Sequence, residues 1–276
     1  MALNSVNTNV GAAIALQNLN KTNSQLATTQ ERINTGLKVG SAKDNGAIFA
    51  IAQSQRSEVS ALNAVSELLS RGQSVVDVSM AAGELVSDML TQLKEKALAA
   101  SDTGLDTTSR DALKEDFASI RDQIKKTLTN ATFNGINLVD GSDADIKALA
   151  NASGSSTLTV SGQNMSLGGS VITLATNATF ATASSAGALL ATIDASIKNV
   201  STSLSKLGTS SKALENHAGF VSKLQDAMEA GIGNLVDADM AKESAKLQAL
   251  QTKQQLGIQA LSIANQSTST VLSLFR

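Results

Sequence analysis

The chain contains no cysteine, proline, tryptophan or tyrosine, and its 276 residues include only six phenylalanines and one histidine. Without cysteine there is no disulfide framework, no thiolate nucleophile and no thiolate metal ligand, a usage compatible with any compartment. Without the large aromatic side chains that anchor compact cores and ligand pockets, a rounded core is disfavoured. Without proline the main internal helix breaker is missing. Burial therefore falls to long helices that each cover a stripe of small and aliphatic side chains. A formal net charge of −2 leaves no electrostatic footprint for nucleic acid or an anionic membrane, and neither partner is expected. No stretch approaches the roughly 18 apolar residues of a spanning helix, so no membrane insertion is expected. Met1 to Thr22 lacks a basic n-region, and its most apolar run, Gly11 to Leu16, is too short for a signal-peptide core.

What the chain does contain is heptad periodicity. Leu62, Leu69, Val76, Gly83 and Leu90 form one seam position, and Val65, Gly72, Ser79, Val86 and Leu93 the other. Alternating steps of three and four make one stripe, which predicts a helix from Asn45 to Ala100, stopped by Ser101-Asp102-Thr103-Gly104. Gly72, Ser79 and Gly83 on that seam imply close backbone approach. A further helix is expected from Thr108 to Asn130, with Thr108 and Asp111 resembling a capping box. The longest seam runs from Ile193 through Val200, Leu207, Leu214 and Val221 to Leu235, a helix of roughly 60 Å at 1.5 Å per residue. One helix of that length needs partners along its whole stripe.

Between Gly135 and Ser185 the helical period disappears. Ser156 to Ser161 and Ser170 to Thr176 favour β-structure among Gly, Ser, Asn and Thr, and read as hairpins or loops. The fold class is therefore mainly α: an elongated bundle of long heptad-patterned helices with a small β-hairpin or loop insertion in the middle.

The two termini are poor in charge. From Met1 to Gln30 the one charged side chain is Lys21, and from Gln254 to Phe275 there is none. Both are helical in pattern, with Leu3, Val6, Val10, Leu19, Leu26 and Ile33 in the first and Leu261 and Val271 in the second. Leu256, Ile258 and Ile263 lie off that stripe. A charge-free helix that is apolar on more than one side needs several neighbours, and other copies of the chain are the expected ones. Leu274 and Phe275 continue the apolar end. Gln17, Asn18, Asn20, Gln254, Gln255 and Gln259 either hydrogen-bond between copies and fix register or line a wet channel.

Specific residues then resemble a family, the bacterial flagellins. The run Asn34-Thr35-Gly36-Leu37-Lys38-Val39-Gly40-Ser41-Ala42-Lys43-Asp44 is similar to the signature after their first helix. The run Ala131-Thr132-Phe133-Asn134-Gly135-Ile136-Asn137-Leu138-Val139-Asp140-Gly141 is similar to their Phe-Asn-Gly motif. Val236-Asp237-Ala238-Asp239-Met240-Ala241-Lys242-Glu243 matches the family's Asp-Ala-Asp motif, and Ile263-Ala264-Asn265-Gln266 with Val271 to Arg276 matches its carboxyl terminus.

The resemblance implies a structural subunit, not an enzyme, that self-assembles into the extracellular flagellar filament for swimming motility. It implies that the amino- and carboxyl-terminal helices are paired, forming an inner tube from residues 1–44 and 240–276, with a helical rod from 45–142 and 186–239 and a short exposed insertion at 143–185. It also implies export, unfolded, through the flagellar type III apparatus. The implied partners are other copies of the chain, related flagellins, hook-junction and cap proteins, and an export chaperone at the C-terminal helix. Outward-facing hydroxyls of some family members carry O-linked sugar. From Ala148 to Ile193 the chain has no charged residue but many Ser and Thr. Thr157, Thr159, Thr173 and Thr176 are the expected outward strand positions for such sugars. A signalling coiled coil and a hook–filament junction protein are the competing readings, and the 34–44 and 131–141 motifs favour flagellin over both.

No cofactor is expected. His217, the single histidine, flanks the long seam and is read as a packing or solvent-facing side chain. The Asp111-Glu115-Asp116 and Asp237-Asp239 clusters have Arg110, Lys114 and Lys242 beside them, which favours surface pairing over cation binding.

Overall fold

The computed structural model describes residues 8–142 and 145–273, with side chains as far as Gln266. Five helices and one hairpin follow in the order α1 (Val10–Thr35), α2 (Gly46–Ala100), α3 (Thr107–Asn130), β1 (Ile146–Leu149), β2 (Thr157–Val160), α4 (Ala183–Val236) and α5 (Met240–Ser273). The fold is thus mainly helical with a small central β-hairpin. The chain forms two compact units, one of Met1–Ser57 with Ala227–Arg276, the other Glu58–Asp226.

Within the Glu58–Asp226 unit, α2 and α4 run antiparallel along the expected seams. Contacts descend α4 as they climb α2: the Gln225 amide donates to Asn63 Oδ1 at 2.8 Å, a methyl group at Gly72 would touch Leu214, and Lys94 pairs with Asp194 at 2.7 Å. Leu69, Val76, Val86, Leu90 and Leu93 meet Ile193, Val200, Leu207, Leu214 and Val221, all at most 1% exposed. Buried hydroxyls on the same stripes return to their own helix, Ser79 to the Val75 carbonyl at 2.8 Å and Ser196 to that of Thr192 at 2.8 Å. Small side chains can therefore sit on the seam without orphaned polar atoms.

Helix α3 buries Phe117, Ile124 and Leu128. Its cap is Asp106, not Thr108: Asp106 Oδ1 accepts from the Ser109 N–H at 2.9 Å and Oδ2 from the Ser109 hydroxyl at 2.7 Å. A carboxylate facing the free N–H groups of the first turn is the stronger acceptor there. Arg110 closes the preceding helix by donating to the carbonyls of Ala100, Asp102 and Leu105.

In the middle segment β1 and β2 form an antiparallel hairpin in which Ile146 faces Val160 and Leu149 faces Thr157. Ile146, Ala148 and Val160 turn inward. The second β-favouring run, Ser170 to Thr176, is not a strand. Its backbone is answered by α4 side chains: the Thr173 N–H donates to Ser196 Oγ at 3.2 Å, and the Asn199 amide donates to the Val171 carbonyl at 3.1 Å. Val171, Ile172, Leu174 and Phe180 are buried, and Phe180 meets Phe117 edge-on with ring centroids 5.3 Å apart. The helix that carries the longest seam begins earlier than that seam, at Ala183, because Thr182 and Ser185 cap it reciprocally: the Ser185 N–H reaches Thr182 Oγ1 at 3.2 Å and the Thr182 N–H reaches Ser185 Oγ at 3.0 Å.

Among the glycines of the α2–α4 seam the closest approach is at Gly83, where a Cβ would lie 2.8 Å from Leu204 Cδ2. Gly83→Val should lower the unfolding free energy by about 1–3 kcal/mol through overpacking. Adding Leu204→Ala should restore part of that loss. Urea-denaturation midpoints check this, and strict additivity of the two substitutions would contradict the contact.

Candidate functional site

In the unit formed by the two ends of the chain, α1 and α5 pair antiparallel. Asn9 Nδ2 donates to the Ala264 carbonyl at 2.7 Å, Gln254 Nε2 to Asn23 Oδ1 at 2.8 Å, and Arg32 Nη1 to Glu243 Oε1 at 3.2 Å. On α1 the facing stripe is Ala12, Ala15, Leu19, Thr22, Leu26, Thr29 and Ile33; on α5 it is Glu243, Leu247, Leu250, Gln254, Gly257, Leu261 and Ala264. Leu19, Leu26, Ile33 and Leu261 thus lie on the side that the partner helix covers. Gln254 pairs within its own chain.

Val10, Ile14, Leu16, Leu256, Ile258 and Ile263 lie off those stripes, each between 48% and 68% exposed. Asn265 and Gln266 are exposed as well. Leu3, Val6, Leu274 and Phe275 lie outside the described residues, as does the side chain of Val271.

The motif residues build the reversals between helices. Gly36 ends α1 in the left-handed region at φ +72° and donates to the Arg32 carbonyl at 2.9 Å. The chain then lies against the end of α4, with the Lys38 N–H reaching the Val236 carbonyl at 2.7 Å and the Ala238 N–H reaching that of Gly36 at 2.8 Å. Asp237 bridges to Leu37, and Asp239 accepts from the Lys242 N–H at 3.1 Å in the first turn of α5. Val39 is buried, whereas Ala42 and Lys43 are exposed. Phe133 and Ile136 exchange two backbone hydrogen bonds of 3.0 Å around Asn134 and Gly135, both at positive φ, the requirement of a type I′ turn.

Three partners escaped sequence reasoning. Asn137 is buried, donates to the Leu128 carbonyl at 2.7 Å and accepts from the Val139 N–H at 2.9 Å, so it closes α3. Arg32 and Glu243 meet across the helix pair. The readable signal for Asn137 was its place after a helix end; for Arg32 and Glu243 it was charge at helical spacing with the apolar stripe, Arg32 beside Ile33 and Glu243 four residues before Leu247.

His217 is half-buried, with Nε2 2.6 Å from the Ala150 carbonyl and its ring against Phe220, so it ties α4 to the hairpin end. Lys114 pairs with Asp111 at 3.0 Å and Lys96 with Asp116 at 2.6 Å. Among the described residues no cluster of His, Asp or Glu is arranged to hold a metal ion, and no helix is long and apolar enough to cross a membrane. Thr157, Thr159, Thr173 and Thr176 are all exposed, the last two on irregular chain and not on a strand.

The family profile of the bacterial flagellin N-terminal helical region matches residues 6–144, and that of the C-terminal helical region matches residues 190–275. The flagellins FljK and FljM of Caulobacter vibrioides are 59% and 57% identical to the chain over 276 residues, covering all of both chains in each case. The chain belongs to the flagellin family. A solved structure assigned as a flagellar hook-associated protein from Vibrio parahaemolyticus shares the fold, with a TM-score of 0.55 at 16% identity over 70% of this chain and 100% of that one. As a flagellin, the protein is a self-assembling subunit of the extracellular flagellar filament and serves motility. FljK and FljM, two flagellins of one organism, are both full-length relatives of this flagellin.

The loop after Gly36 carries a pH-dependent tie. The Ser41 N–H at 2.9 Å and its hydroxyl at 3.0 Å hold the Asp44 carboxyl below its ordinary 3.8, helped by the Gly40 N–H at 3.2 Å and the positive charge of Arg32. A depressed carboxyl stabilises the fold in full above pH 3.8 and loses that contribution as pH falls through the folded-state value below it. Asp44→Asn should therefore unfold more readily than the parent flagellin at neutral pH, and the difference should shrink well below pH 3.8. Denaturant midpoints measured across that range check it; a gap independent of pH would contradict it.

Proposed function

We propose that the α1–α5 pair, within residues 1–44 and 240–276, is the polymerising part of the subunit and forms the inner tube of the filament. On this reading residues 45–142 and 186–239 make the rod and residues 143–185 the outer insertion. The observation that carries it is the set of apolar side chains left uncovered on the pair: Val10, Leu256, Ile258 and Ile263, each more than half exposed. One partner helix covers one stripe, and burying the rest requires other chains. Leu3, Val6, Val271, Leu274 and Phe275 belong to the same polymerising set, with Leu19, Leu26, Ile33 and Leu261 holding the pair itself together. Related flagellins, hook-junction proteins and cap proteins present similar faces to the same surface. An export chaperone covers the C-terminal helix beforehand, and the chain travels unfolded through the flagellar type III apparatus.

Ile258→Asp should abolish filament formation while Ile258→Leu preserves it. A carboxylate buried between subunits costs several kcal/mol, which raises the concentration needed for polymerisation about a hundredfold or more. Electron microscopy of the purified full chain after salting out reads the outcome. Normal filaments from Ile258→Asp would refute the assignment of this face.

The outer insertion is proposed to carry O-linked sugar. No charged residue lies between Ala148 and Ile193, and uncharged, β-favouring surface aggregates unless something solvates it. Thr157, Thr159 and Thr176 present exposed hydroxyls, whereas Thr173 Oγ1 is shared with Ser196 Oγ at 3.3 Å. Intact-mass measurement of native filaments should exceed the polypeptide mass; equality, allowing for removal of Met1, would overturn the proposal.

A further inference from the structure

Helices α1 and α5 carry seven charges, and five of them, Lys21, Glu31, Lys242, Lys246 and Lys253, are exposed. The remaining two, Arg32 and Glu243, are turned toward the pair. Glu243 is the one carboxylate of α5 and sits on its facing stripe, 8% exposed. Its Oε1 accepts from Arg32 Nη1 at 3.2 Å, and its Oε2 lies 3.6 Å from Lys246 Nζ. Thr29, one turn before Arg32, is fully buried, and Thr29 Oγ1, Arg32 Nε and Glu243 Oε2 are buried without a hydrogen-bond partner.

The Arg32 side chain keeps 27% exposure against 11% for Glu243, and an ion pair buried on its carboxylate side with polar atoms unanswered contributes little net stability, its best-attested use being to specify register. The rest of this stripe leaves register open. Leu19, Leu26 and Ile33 recur every seventh residue, and apart from the seat of Leu19 against Gly257 the small Ala12, Ala15 and Thr22 on α1 and Ala264 on α5 distinguish poorly between alignments one helical turn apart. Such a slide would carry Glu243 away from Arg32 toward Thr28 and Thr29 or toward Thr35 and Gly36, where α1 offers no cation. The neutral hydrogen bonds from Gln254 to Asn23 and from Asn9 to Ala264 are each replaceable by water or by a neighbouring amide or carbonyl.

We propose that the Thr29–Arg32–Glu243 cluster, buried at Thr29 and Glu243, is the register lock of the terminal helix pair, selecting one axial alignment of α1 against α5. The lock acts within one chain and goes beyond the assembly reading.

The absence of native cysteine permits a direct test. Leu19 Cβ lies 3.9 Å from the position of a Cβ at Gly257, the separation that a disulfide requires. Leu19→Cys with Gly257→Cys reports the aligned register; Leu19→Cys with Gln254→Cys or Leu261→Cys reports a slide to the adjacent stripe positions. The full-length chain is oxidised mildly in solution and, where it polymerises, as filament, and intrachain links are identified by mass spectrometry of the joined peptides. Failure to polymerise therefore leaves the readout intact. The parent background should link 19 to 257, and Glu243→Gln should raise the slid-to-aligned ratio about tenfold or more, the scale of one lost hydrogen bond between charged groups. An unchanged ratio, or no link from 19 to 257 in the parent background, would overturn the proposal. If Glu243→Gln leaves no linkable pair, the exchange Arg32→Glu with Glu243→Arg decides: return of the link from 19 to 257 supports the lock, and its continued absence refutes it.

Discussion

Everything in this protein follows from one constraint: helices poor in large side chains bury a stripe, never a centre. A stripe must be covered along its length, so each long helix needs an equally long companion. In the Glu58–Asp226 unit that companion arrangement is complete. Leu69 and Leu90 on α2, and Val200 and Leu214 on α4, are almost wholly excluded from water. Small residues compensate for missing bulk by letting backbones approach, as at Gly72 and Gly83, so that dispersion contacts accumulate along the pair.

The α1–α5 pair obeys the same rule with a poorer stripe. Its facing positions include alanine, threonine, glycine and glutamine, and most remain half-exposed. Among the described residues, the apolar side chains off the stripe stay about half exposed or more. A pair that is under-covered by itself gains most from burial against other copies, which supports the proposal that the ends serve assembly. Charge would oppose that burial, and on α1 and α5 it is kept to exposed positions except where Arg32 and Glu243 answer one another.

The motif residues of the family act on the backbone and not on a substrate. Gly36 supplies a left-handed helix end, Asn134 and Gly135 a tight turn, Asp239 a helix start, and Asp44 an acceptor for the loop between α1 and α2. Each lies where a helix ends or a new segment begins. In a protein made of long rods, reversals decide which rod meets which, so residues with special φ or capping ability carry more information than those on the exposed faces.

Heptad spacing, the missing proline and the charge-poor ends were sufficient to read the helices and the off-stripe apolar residues Leu256, Ile258 and Ile263, because periodicity is a local property of the chain, whereas the pairing of the terminal helices came with the resemblance. The type of an irregular segment was not local. Ser170 to Thr176 has the composition of a strand, but its backbone partners proved to be Ser196 and Asn199 on α4, and a strand cannot form without a neighbouring ladder. The start of α4 was likewise set by the reciprocal Thr182–Ser185 cap and not by its seam. Asn137, Arg32 and Glu243 found partners 9 and 211 residues away in sequence. Which helices exist was therefore written in the sequence by itself, while which polar groups satisfy one another was decided only when tertiary packing excluded water and left each buried donor a short choice of acceptors.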